Sequence, residues 1–221
     1  MPKQKPIAEQ AVVIAADHVA IEGNLAIPER ARGLVIFAHG SGSSRFSPRN
    51  NFVARQLQAD RIATLLVDLL QEDEARDRRL VFDLALLARR LSSITAWARA
   101  DTRTRDLAIG YFGASTGAGA ALRAAAMEPQ QIAAVVSRGG RPDLAAPFLP
   151  KVMAPTLLIV GGFDEPVIEM NQEALALLTC PKQLVIVPGA SHLFEEPGTL
   201  EEVAGLARQW FQTYLSPGAE R

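Results

Sequence analysis

The stretch Leu107-Ala108-Ile109-Gly110-Tyr111-Phe112-Gly113-Ala114-Ser115-Thr116-Gly117 runs directly into the small-residue segment Ala118 to Ala126. Leu107 to Phe112 is an uninterrupted apolar run, the pattern of a strand buried on both faces of a parallel sheet. G-x-S-x-G follows, and Gly117 to Met127 reads as a helix. A serine at a sharp strand-to-helix turn has its oxygen exposed above the sheet. Such a turn is crowded, so glycines two residues to either side relieve contacts with neighbouring backbone. The helix N-terminus behind the serine favours negative charge there. The plainer reading of the same pentapeptide is a glycine-rich turn whose serine caps the helix.

Apolar runs of the same kind recur at Leu34 to Ala38, Ala63 to Val67, Ala133 to Val136, Thr156 to Val160 and Gln183 to Val187. Helical patterns separate them. Leu80, Leu84, Leu87, Leu91, Ile94 and Ala98 recur at steps of three and four, which predicts one helix over Leu80 to Ala100. Further helices are expected at Pro48 to Ala59, Ile168 to Leu178 and Leu200 to Tyr214. Buried strands alternating with helices predict an α/β fold with a doubly wound, mostly parallel sheet. Ala11 to Ala16 and Val19 to Ile27, joined by Asp17-His18, read as an antiparallel N-terminal hairpin. Glu72 to Arg79 reads as a solvated charged linker, and Met1 to Gln10 and Ser216 to Arg221 as frayed ends. One domain over residues 1–221 is expected, with its core at about 10–215.

The 221 residues are 48% hydrophobic and 21% charged, ordinary for a soluble globular domain. A chain of this length buries roughly 70% of its unfolded surface and needs no disulfide or metal to hold its core. The net charge of −1 lacks the basic footprint of a nucleic-acid or anionic-membrane binder. Cys180 is the single cysteine, so no internal disulfide forms, and a four-ligand metal site needs more Cys or His than the chain offers. Met1-Pro2-Lys3-Gln4-Lys5-Pro6 leads into no long apolar stretch. Neither a signal peptide nor a membrane span is therefore expected, and a cytoplasmic location follows by default.

A serine hydroxyl needs a base that is neutral near pH 7, which favours histidine. The three are His18, His39 and His192. His18 sits in the hairpin turn, and His39 follows the first parallel strand. His192, in Pro188-Gly189-Ala190-Ser191-His192-Leu193-Phe194, follows the last one. Ligands bind at the carboxyl edge of an open α/β sheet, so His192 is the expected base. A third group must orient the imidazole. Asp164, in Gly161-Gly162-Phe163-Asp164-Glu165, lies close to its strand end and is preferred; Asp143, in Arg138-Gly139-Gly140-Arg141-Pro142-Asp143, is the rival. Both satisfy the chain order serine, acid, histidine.

His39-Gly40-Ser41-Gly42-Ser43-Ser44-Arg45 follows the strand Leu34 to Ala38. A glycine-rich turn there can aim N–H groups at a developing oxyanion. The expected donors are Thr116 and Ser41, with Gly42 as the alternative to Ser41, and His39 bracing the loop. Gly40-x-Gly42, with Asp68 ending the next strand, also partly mimics a dinucleotide-binding unit, but Arg45 stands where the third glycine belongs.

Four pieces, His39 to Ser44, Gly113 to Gly117, Gly161 to Asp164 and Gly189 to Phe194, fall in one order across Leu34 to Leu215. In them the chain resembles the dienelactone-hydrolase-like branch of the α/β-hydrolase superfamily. The resemblance implies an eight-stranded sheet, no large cap domain, and hydrolysis of esters or lactones through an acyl-enzyme, with thioesters also open. His39 to Asn50 and Ser137 to Asp143 are similar to a subgroup in which the domain is sometimes fused to a phosphoribosyltransferase, a second domain that is not expected within these 221 residues. The family's namesakes use a cysteine nucleophile, whereas this chain has Ser115, and Cys180 lies before the last strand. A carboxylesterase acting on a small-molecule ester, as monomer or homodimer and without cofactor or metal, is therefore the expectation. Phe46, Phe163, Leu193 and Phe194 are expected as apolar pocket walls or as core. Arg45, Arg138 and Arg141 are expected as anchors for an acidic substrate or as structural ion pairs. Two alternatives remain: a catalytically silent hydrolase fold used for binding, and a nucleotide-binding α/β domain.

Overall fold

The structure, a computed structural model, describes residues 7–215. The expected frayed segments at 1–6 and 216–221 lie outside the described residues, whereas Glu9 and Gln10 belong to the first strand. β1 (Glu9–Ala16) and β2 (Val19–Ala26) form the antiparallel hairpin. Asp17 and His18 close it at φ 48° and 68°, a left-handed pair whose twist matches that of the flanking strands.

β2 pairs antiparallel with β4 (Ile62–Val67), and every later pairing is parallel. β3 (Gly33–Ala38) lies between β4 and β5 (Ala108–Ala114), followed by β6 (Ile132–Arg138), β7 (Thr156–Gly161) and β8 (Lys182–Val187). The eight-stranded order is β1-β2-β4-β3-β5-β6-β7-β8. β3, β4 and β7 are buried along their whole length, which is why their sequences are continuous apolar runs without alternation.

Two helical layers cover the sheet. α1 (Pro48–Ala59) and α6 (Thr199–Tyr214) pack on one face around Phe37, Phe112, Leu57 and Phe211. α3 (Leu84–Ala100), α4 (Thr116–Met127) and α5 (Glu165–Leu177) pack on the other, around Leu34, Ile36 and Tyr111 of the sheet and Leu91 and Ile94 of α3.

The expected helix Leu80 to Ala100 is two helices. α2 (Arg78–Val81) stops at Phe82, and Asp83 starts α3 by accepting from the N–H groups of Ala85 and Leu86, each at 2.9 Å. A side chain that offers the backbone this alternative partner breaks a helix where the apolar period alone would continue it. The linker Glu72 to Arg79 is likewise not simply solvated: it holds a 3₁₀ turn at Glu74–Arg76, and Glu74 pairs with buried Arg90. A longer 3₁₀ segment, Pro142–Lys151, follows β6. Among the described residues, no helix is long and apolar enough to cross a membrane.

The register positions the site. Ala38 pairs with Gly113, Ala114 with Arg138, and Gly161 with Val187. The segments following β3, β5, β6, β7 and β8 therefore gather at one edge of the sheet.

Candidate active site

Ser115 sits between β5 and α4 at φ 49°, ψ −123°. A non-glycine residue there carries strain of about 1–3 kcal/mol, which persists only where the surroundings over-determine it. They do. The Ser115 N–H donates to the Arg138 carbonyl at 3.3 Å, and the Ser115 carbonyl accepts from Ala118 at 3.0 Å and Arg141 at 3.1 Å. A Cβ on Gly113 would lie 2.4 Å from Ala118 Cα, and one on Gly117 would lie 2.2 Å from the Ala38 carbonyl oxygen. Both glycines of the pentapeptide are thus required by packing. Ser115 makes no side-chain capping bond to α4, so it is not there as a helix cap.

The segments after β7 and β8 are stitched together by backbone. Gly162 N–H donates to Val187 at 2.8 Å and Phe163 N–H to Ala190 at 2.9 Å. This brings Asp164 beneath His192, with Nδ1 2.5 Å from Asp164 Oδ2. The rival Asp143 is elsewhere engaged, accepting from Arg141 Nε at 2.8 Å and Nη2 at 2.7 Å. His192 rests on Gly139, where an added Cβ would lie 3.1 Å from the His192 carbonyl oxygen and 3.5 Å from ring Cε1. Gly139 follows Arg138, whose carbonyl holds the Ser115 amide. One β6 terminus therefore abuts the serine on one side and the histidine on the other.

After β3, the loop turns at Gly40–Ser43, where Ser43 N–H donates to Gly40 at 3.2 Å and Gly42 has φ +69°. A Cβ on Gly40 would lie 3.0 Å from Ser115 Cβ, so the loop lies against the serine. Ser41 is exposed and Thr116 is buried at the first position of α4. His39 Nδ1 bonds the Gly40 carbonyl at 2.9 Å, and Nε2 accepts from Leu69 N–H at 3.4 Å. Burial pushes its pKa below 6.5, opposed by the Gly40 bond and the Asp68 charge; the neutral tautomer with a proton on Nδ1 fits both bonds. His39 thus ties the loop to the end of β4, as expected of a brace. Arg45, in the place of a third dinucleotide-loop glycine, donates from its N–H to Asp68 at 2.6 Å and from its guanidinium to Asp68 and Glu22. The carboxylate that a nucleotide ribose would need is already taken.

The pocket residues divide. Phe163 and Leu193 are exposed, on either side of the Asp164–His192 pair in sequence. Phe46 is exposed, stacks on Arg45, and borders a 510 Å³ cleft with Glu22, Asp68 and Glu72. Phe194 and Arg138 are buried. Phe194 is 2% exposed and belongs to the core with Phe37 and Phe211. Arg138 is buried with its guanidinium 5.9 Å from the Phe194 ring. Burial, with a smaller contribution from Arg49, pushes its pKa down to about 10.

The walls come from residues that sequence reasoning passed over. A 240 Å³ cavity opens between Thr116 and the Gly40–Gly42 turn, and Leu69, Leu70, Ala75, Val81 and Leu87 form its apolar side. The available signal was that Leu69-Leu70 follows the carboxyl end of β4, the edge where such sheets bind ligands. Cys180 precedes β8, at the opposite edge of the sheet, and burial raises its pKa, so its thiol is neither near Ser115 nor activated.

No family model matches the chain. A dienelactone hydrolase from Anabaena variabilis ATCC 29413, known from its crystal structure, is 57% identical, with a TM-score of 0.93 over 96% of this chain and 100% of that one. Proteins from two Mycobacterium tuberculosis strains, whose name proposes a phosphoribosyl transferase, are 56% identical over 214 residues, which is 96% of this chain but 48% of theirs. The chain thus spans about half the length of the curated relatives it matches. An α/β serine hydrolase without lid from Xanthomonas campestris is 22% identical, with a TM-score of 0.77 over 96% of this chain and 97% of that one. That likeness speaks to the fold alone.

Proposed function

The chain belongs to the dienelactone-hydrolase-like branch of the α/β-hydrolase superfamily, and from that premise we propose that it is a serine hydrolase cleaving small carboxylic esters through an acyl-enzyme on Ser115. The observation that carries the reading is the strained Ser115 turn, joined through Arg138 and Gly139 to a histidine whose Nδ1 is held by Asp164 at 2.5 Å. Strain of this kind concentrates where it serves chemistry.

In the proposed mechanism, Asp164 fixes the imidazole with its proton on Nδ1 and stabilises the imidazolium. Nε2 of His192 takes the Ser115 proton as Oγ attacks the ester carbonyl. The oxyanion forms beside the Thr116 and Ser41 N–H groups, at the positive end of α4. His192 then protonates the leaving alcohol, and water, deprotonated by the same nitrogen, releases the acid. We assign this hydrolytic half to the part of the tuberculosis relatives that the chain matches, and phosphoribosyl transfer to the remainder.

Ser115→Ala tests the reading. Kinetics with p-nitrophenyl acetate should show a loss of several orders of magnitude, roughly as large as loss of the whole triad, with the circular-dichroism spectrum unchanged. A fluorophosphonate should label the wild type at Ser115 and leave the variant unlabelled. More than about a tenth of the wild-type rate in the variant would exclude Ser115 as nucleophile. A folded wild type that resists labelling and turns over no ester would favour the silent fold.

A further inference from the structure

We infer that the 240 Å³ cavity beside Ser115 receives the acyl half of the substrate and selects neutral, apolar acyl groups of short to medium length. The inference rests on the hydrolase reading above and adds the substrate class.

Position is the first argument. The cavity begins at Thr116 and the Gly40–Gly42 turn, the backbone on which the carbonyl oxygen would rest, and His192 does not line it. The leaving alcohol has to lie within reach of His192 to be protonated. It therefore points toward His192, and the acyl substituent points the other way, into the cavity.

The second argument is the chemistry of the wall. Leu69, Leu70, Val81 and Leu87 dominate it, and among the described residues no Lys, Arg, Asp or Glu lines it. His39, the one titratable lining group, has both ring nitrogens committed to backbone. An acyl group carrying a carboxylate would lose its hydration here and gain no counter-charge. An alkyl chain gains on entry, by roughly fourfold in binding per methylene. The 240 Å³ volume limits the length of chain that fits.

Third, the wall is held in place. Arg90 of α3 is 3% exposed, donates to the Leu69 carbonyl at 2.8 Å, and grips both oxygens of Glu74 at 2.6 Å. One guanidinium thus fastens the segment carrying Leu69, Leu70 and Ala75 to the helix carrying Leu87. A fixed wall can discriminate between chain lengths, whereas a loose loop would accommodate them all.

The test is the ratio of kcat/KM across p-nitrophenyl acetate, butyrate, hexanoate, octanoate and dodecanoate, with the hydrogen succinate as the charged analogue of butyrate. In the full chain the ratio should climb by up to about sixteenfold per pair of methylenes to an optimum between butyrate and octanoate and fall for dodecanoate. Butyrate should exceed succinate at least tenfold. Ala75→Trp, at an exposed position, should lower the octanoate-to-acetate ratio at least tenfold. Val81→Phe, half-buried on another part of the wall, should act in the same direction and guards against misfolding of the first variant. A flat chain-length profile, a ratio untouched by both folded variants, or succinate matching butyrate overturns the cavity assignment while the hydrolase reading stands. Absence of turnover on every ester together with absence of Ser115 labelling overturns the hydrolase reading, and this inference with it.

Discussion

His39 and His192 stand at the same edge of the sheet, each after a parallel strand and each with a carboxylate nearby, yet they are in opposite chemical situations. The His39 side chain is 13% exposed, with Nε2 3.8 Å from Asp68, and backbone groups of Gly40 and Leu69 occupy both ring nitrogens. The His192 side chain is 39% exposed. Its Nδ1 is fixed by Asp164, and the ring lies on Gly139, beside the strand end that holds Ser115. Asp68 serves mainly Arg45, while Asp164 serves the imidazole. A ring with both nitrogens committed can only hold structure. A ring anchored at one nitrogen keeps the other for proton transfer.

The two rings should respond to substitution in opposite ways. His192→Ala should reduce kcat/KM by several orders of magnitude, with the melting temperature little changed. His39→Asn should do the reverse: less than a tenfold kinetic loss, but destabilisation of about 1–3 kcal/mol, because the Leu69 N–H and Gly40 carbonyl lose partners. A thermal shift of several degrees would report it. Similar kinetic collapse in two folded variants would erase the distinction.

The two carboxylates should divide in the same way. Asp164→Asn should cost roughly 10⁴ in kcat by losing the correct tautomer and the stabilised imidazolium. Asp143→Asn removes only a partly exposed pair with Arg141, worth about 0–1 kcal/mol, and should leave kcat within a few-fold. The opposite ranking would transfer the orienting role to Asp143.

Smaller effects appear in the pH dependence. Protonated His192 cannot accept the Ser115 proton, so kcat/KM should fall as pH drops and level off on the alkaline side. A profile highest in acid would rule out histidine as the base. For His39 the linkage runs through stability. Its folded pKa lies below 6.5, mainly because it is buried, so the unfolded chain takes up that proton first. The stabilisation is complete above about pH 6.5 and is lost as pH falls toward the folded value. Urea midpoints between pH 7.5 and 5 should decline less steeply in His39→Asn than in the wild type. The smallest change is expected for Cys180→Ser: a kcat/KM within twofold of wild type, measured on the same esters, with any collapse pointing back to thiol chemistry.

Local sequence determined the alternation of strands and helices, the Ser115 turn and the order of serine, acid and histidine. Continuous apolar runs report burial on both faces, and a tight turn declares its glycines through the backbone it must approach; both are short-range constraints. Tertiary packing decided what faces what. Asp164 and Asp143 both follow parallel strands, and only the stitching of the β7 and β8 termini brings one to His192 while Arg141 engages the other. Phe194 stands two residues from His192, yet its ring turns into the core and shields Arg138. Leu69, Leu70, Val81 and Leu87 belong to no motif in the sequence, yet they line the cavity, where Arg90 ties the segment carrying Leu69 and Leu70 to the helix carrying Leu87. An apolar period marks the face of an element that leaves water. It carries no information about whether protein or an open cavity lies opposite, because that depends on contacts between residues distant in the chain.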